Sequence, residues 1–121
     1  MDTRHTHRIQ IVQKLFPLSF TGLGTQSIPE EDQTVLDIVK NLKKIDKLIE
    51  IYAPRYPLSK IAKMDLSILR LSMYELIIEK KEPPKVIIDE AVTLAKEFGN
   101  EKSYSFINGV LGTALKTVTK L

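Results

Sequence analysis

The chain has no cysteine among its 121 residues. Disulfides, zinc–thiolate clusters and cysteine nucleophiles are therefore excluded. Histidine is almost as scarce, with His5 and His7 close together near the start. No Asp or Glu cluster has metal-ligand spacing, and the serines have no histidine on a rigid scaffold to activate them. Gly22-Leu23-Gly24 is not followed by the lysine-bearing helix start that a phosphate loop needs. The sequence thus predicts no enzyme, no metal and no cofactor. Long apolar runs are also missing: Met1 is followed by Asp2, Arg4 and Arg8, so neither a signal peptide nor a membrane span is expected, and the reading is a soluble cytoplasmic protein with no membrane partner.

What is present suits one folded domain over residues 1–121. Hydrophobic residues make up 43% of the chain and charged ones 27%, enough apolar surface to build a core. The net charge is only +3. Its distribution is segmental: Arg4, Arg8 and Lys14 outnumber Asp2 at the start, residues 30–53 and 82–99 are acidic on balance, and residues 54–81 and 100–121 are basic. A nucleic-acid surface requires folding to bring the basic segments together.

Helical periodicity runs through most of the chain. Ile9, Val12, Leu15 and Phe16 form one stripe, which Pro17 should kink or end because proline lacks the N–H and crowds the preceding turn. Thr21 to Ser27 reads as a loop. Ser27, Pro29 and Glu30 have the pattern of a capped helix start, and Val35, Ile38, Leu42, Ile45, Ile49 and Tyr52 predict one helix of about 20 residues, stopped by Pro54 and Pro57. Asp65 is placed to cap a helix reaching Glu79, so apolar that it should be central, with Arg70 and Glu75 as its odd residues. Arg70 must either pair with a carboxylate or face a ligand. Further helices are expected from Lys85 to Phe98, closed by Gly99, and from Asn100 or Ser103 onward, with Phe106, Ile107, Val110, Leu111, Ala114, Leu115 and Val118 inward. Gly109 and Gly112 suggest close approach by another helix.

For Arg4, Arg8 and Lys14 a solvated helix face competes with phosphate contact. Phe106 is either a core residue or a ring that stacks on an unpaired base.

The stretch LSKIAKMDLSILRLSMYELI from Leu58, followed by PPKVIIDEAVTLAKEFGNEKSYSFINGVLGTAL, closely resembles the NusB family of transcription antitermination factors. The likeness covers residues 35–115, with RIQIVQKLF from Arg8 as a weaker extension. It implies an all-α fold, a compact helical bundle of two packed sub-bundles, and an RNA-binding accessory factor. That factor would pair with NusE, a small-subunit ribosomal protein, on single-stranded boxA-like RNA, and would act indirectly within the RNA polymerase antitermination complex to promote rRNA operon transcription. By the same resemblance the RNA side comprises Arg4, His5, Arg8, Lys14, Phe16, Arg70, Lys102, Ser103 and Phe106, and the NusE side Asp65 and Glu75. Two departures stand out. Only part of the family's arginine-rich start is kept, and the segment between Phe20 and Pro29 is short, which implies a trimmed N-terminal bundle. A protein-interaction module of this fold with weak or no RNA recognition is the alternative.

Overall fold

The computed structural model describes residues 3–20 and 32–119, and those residues are helical with short connections. Helix α1 spans Thr3–Leu15. It stops one residue before Phe16 and continues as a 3₁₀ turn over Phe16–Ser19, with Pro17 in the first turn, where its missing N–H is harmless. The predicted cap at Ser27, Pro29 and Glu30, and the shortened connection, lie outside the described residues.

The long second helix is in fact two, α2 over Gln33–Lys40 and α3 over Leu42–Tyr52. Asp32 caps α2, its Oδ1 accepting from the N–H groups of Thr34 and Val35 at 3.0 and 3.3 Å. At Asn41 the side-chain amide donates to the Asp37 carbonyl at 2.7 Å while the Asn41 N–H also bonds there and to Ile38. The side chain competes for a carbonyl of the ladder, and the helix breaks at that residue although its apolar stripe carries on. Tyr52 ends α3 before Pro54, and a 3₁₀ turn over Leu58–Lys60 leads into α4, Lys63–Met73.

Helix α4 has no side-chain cap. Ala62 precedes it and Asp65 lies inside its first turn, so the capping role expected for Asp65 is not found. Every residue from Asp65 to Leu76 is buried. Beyond Met73 the chain widens into a π turn over Tyr74–Glu79, closed by Lys80 in the left-handed region (φ 57°), the one non-glycine residue there among those described. Pro84 then opens α5, Pro84–Phe98, and α6 runs over Ser103–Thr119.

The apolar stripes of α1, α3, α5 and α6 all close on α4. Leu15, Ile45, Ile49, Ile68, Leu69, Ala95, Ile107 and Leu111 are fully buried in one continuous core. Full burial of each large aliphatic side chain contributes about 1.5–3 kcal/mol before chain entropy is set against it. Helix α1 lies antiparallel to α4: Arg8 meets Glu75 toward the far end, while Ser19 bonds Ser67 and the Lys63 carbonyl, each at 3.1 Å, near the start. Gly99 is needed for room, since a Cβ there would lie 2.4 Å from Ser103 Oγ. Gly109 and Gly112 are the opposite case. A Cβ on either meets nothing within 4 Å, so no helix packs closely over them as expected; they lie toward open space.

Candidate nucleic-acid interface

The first turns of α4 collect two sets of aromatic and basic side chains. On one flank the 3₁₀ turn after α1 brings Phe16 and Phe20 together edge to face, centroids 5.2 Å apart, with Lys63 Nζ 5.7 Å from the Phe20 ring centre. On the other flank, the start of α6 sets Phe106 edge to face with Tyr56, centroids 5.0 Å apart at 74°. Phe106 is half-buried, whereas Phe20 and Tyr56 are 43% and 49% exposed. The exposed Lys60 and Lys102 line the same hollow as Tyr56 and Phe106. Among the described residues, none of Lys60, Lys63 and Lys102 is ion-paired. Two helix N-termini meet here, so free backbone N–H groups add to the positive field.

The remaining cations of the sequence reading are placed differently. Arg8 is buried and gives Glu75 a two-pronged salt bridge, Nε at 3.1 and 3.2 Å and Nη2 at 2.8 Å. Arg70 is equally buried and grips Asp46 at 2.9 and 3.0 Å, with a longer bond to the Leu18 carbonyl. Of its two expected roles, pairing is the one the fold uses. Neither guanidinium is displayed to a phosphate, because burial without these carboxylates would be prohibitively costly. Arg4 bonds Glu82 at 2.7 Å, and Lys14 lies 3.5 Å from Asp32. His5 bridges Glu90 and Glu97, each at 2.8 Å. Its pKa is raised, chiefly by the bond to Glu90 and further by Glu97, against the opposing effect of burial. So the structure joins Phe16, Lys102 and Phe106 at the head of α4. Arg8 and Glu75 meet toward its other end, and Arg4 and His5 are taken up by carboxylates at and beyond the start of α5.

Ser103 and Asp65 lie beneath the α6 side of the cluster. Ser103 is 1% exposed, so it acts from inside: its Oγ accepts from the Asn100 N–H at 3.0 Å. Asp65 is 5% exposed and its Oδ1 has no partner. Burial pushes its carboxyl pKa up, only partly offset by Ser103. As a buried group, Asp65 is a poor candidate for the direct partner contact expected of it. Glu75, also buried, edges a groove of about 310 Å³ with Glu79, Glu82 and Arg4.

Sequence reasoning missed Phe20, Tyr56, Lys60 and Lys63. A signal existed in Tyr56 beside Pro57, in Phe20 close after Pro17 and in the lysines at and just ahead of the start of α4, but only folding shows that they share one end of the bundle. Among the described residues there is no group of three or more acidic, histidine or cysteine side chains fit to hold a metal, and no helix long and apolar enough to cross a membrane.

Residues 6–116 match the NusB family. Among curated proteins, transcription antitermination protein NusB of Treponema denticola is 44% identical over 64% of this chain and 57% of its own length. The protein of that name from Roseiflexus castenholzii is 36% identical over 93% and 91%, respectively. The alignments thus span less than two thirds of some relatives, Treponema included, and nearly all of others. A solved structure, T. maritima NusB, superposes with a TM-score of 0.79 at 29% identity, covering 99% of both chains.

Proposed function

Because the chain belongs to the NusB family, we propose that it is a transcription antitermination factor that binds boxA-like single-stranded RNA together with NusE and so promotes rRNA operon transcription within the RNA polymerase complex. The observation that carries the RNA half is the head of α4, where Phe16, Phe20, Tyr56 and Phe106 stand among Lys60, Lys63 and Lys102. Rings that stack on splayed bases and lysines that follow the backbone are the two components of single-strand binding. A net charge of +3 suffices when the unpaired lysines are gathered at one end. NusE is assigned to the other end, over the groove edged by Glu75, Glu79 and Glu82, which leaves the rings free for RNA.

The test is a titration of labelled boxA-like RNA with this protein, with and without NusE, against a scrambled RNA. Tighter binding of the boxA-like sequence in the NusE mixture supports the proposal; equal binding of both sequences removes the specific reading. Phe106→Ala is expected to weaken binding by about 1–3 kcal/mol, the worth of one stacked base. One observation favours the interaction-module alternative: Arg4, His5 and Arg8 are already engaged by Glu82, Glu90 and Glu75. A stable NusE complex indifferent to RNA would select it.

A further inference from the structure

We propose that single-stranded RNA runs on past the head of α4 into the groove between α3 and α6, which seats the nucleotides flanking the recognised element without reading their sequence; this rests on the RNA-binding reading above. The starting point is a stretch of bare helix backbone. Gly109 and Gly112 stand inside α6, where glycine weakens a helix relative to alanine. Neither has a left-handed backbone, and a Cβ on either meets nothing within 4 Å, so no neighbour among the described residues requires glycine there. The remaining reason for glycine is a ligand that comes close to the backbone.

Gly109 forms one bank of a groove of about 420 Å³ together with Val110 and Thr113, and Tyr52, Ala53 and Pro54 form the other. Two observations commit this groove to RNA. The first is continuity: Tyr56 and Phe106 line both the groove and the smaller hollow beside Lys60 and Lys102, so a strand held at the head of α4 has its exit here. From Phe106 to Thr113 the helix rises about 10 Å, the span of about two nucleotides. The second is charge. Arg55 is the one charged residue lining the groove, and it is exposed and, among the described residues, not ion-paired. Lys116 is exposed about two turns beyond Gly109 on the same face of α6. Planar bases lie flat on a helix stripped of side chains, while a guanidinium at the rim takes the phosphate. An apolar protein segment would fit the same floor but would leave Arg55 without a counter-charge.

The experiment uses the full chain with NusE and a boxA-like RNA lengthened by uridines, one at a time, at its 5′ end or at its 3′ end. Extension at one end is expected to tighten binding about tenfold over the first nucleotides and then level off, whereas extension at the other end changes nothing. Gly109→Leu, which fills the groove from a position with room for a side chain, should raise the melting temperature and abolish the gain, with the affinity for the unextended RNA kept within about twofold. Arg55→Gln should reduce the gain and lower the salt slope of the extended RNA alone by about 0.7; at an exposed position, it decides the matter if the leucine variant does not fold. A wild type indifferent to length at both ends, or a gain undiminished in both variants, overturns the groove while RNA binding stands. No RNA binding in any mixture overturns both proposals. Weakened NusE binding in the variants with the length dependence intact overturns this one in favour of a protein segment in the groove.

Discussion

A guanidinium buried against a carboxylate is stable only as a pair, and Arg8 with Glu75 is such a pair. Both side chains are at most a tenth exposed, and the bond is two-pronged. Arg8→Ala leaves Glu75 buried and uncompensated, so a loss of about 3–5 kcal/mol in folding free energy is expected by urea unfolding. Replacing both residues by apolar ones should recover much of it. The RNA affinity of the folded Arg8→Ala protein should stay within about twofold of wild type, because a positioning residue touches no phosphate; a large drop in affinity with intact folding would return Arg8 to the RNA surface. The sequence offered only half of this. That Arg70 needs a partner follows from its apolar neighbours, but the partner, Asp46, lies 24 positions away, and Arg8 meets Glu75 across 67. Periodicity carries no information about such long-range meetings, which depend on how the helices pack.

Helix α1 is fastened to α5 through His5, and that attachment responds to pH. A charged imidazole donates to both Glu90 and Glu97, whereas a neutral one donates to a single carboxylate. Because the folded pKa of His5 lies above its ordinary 6.5, this contribution is complete below about pH 6.5 and is lost as pH rises through the raised value. The wild type should therefore lose melting temperature over that window relative to His5→Ala; parallel curves would show that the bridge carries no stability. Asp32 does not interfere. Burial pulls its pKa up, but bonds from His7 and the Val35 N–H bring it below 3.8, so its effect appears only in acid. Among the elements, those delimited by proline were legible: Pro17, Pro54 and Pro84 mark observed boundaries because the constraint is local and covalent. The break at Asn41 was hidden because the apolar stripe passes through it unchanged, and the π turn after Met73 because its residues are apolar enough for either helix type.

Across the whole molecule the excess charge matters less than where unpaired lysines gather. If Lys102 touches phosphate, Lys102→Gln lowers the slope of log affinity against log salt by about 0.7, the single-strand value for one contact, and weakens all sequences alike. An unchanged slope in a salt titration would place RNA elsewhere. The resemblance in the sequence pointed to Phe16, Lys102 and Phe106, and the bundle does place them around one helix start. Tyr56 and Lys60 were not legible as members of that surface, since a linker's side chains acquire neighbours only when α3 and α6 pack.

The central helix has one more consequence. Asp65 stands in its first turn, Arg70 in its middle, and Glu75 just beyond it, and α1, α3, α5 and α6 all lean on that rod. The continuous core does not survive if α4 leaves, so the chain is expected to unfold as a single cooperative transition. Free energy gained where α4 begins therefore protects amides at its far end, and occupancy of either end registers as added stability of the whole.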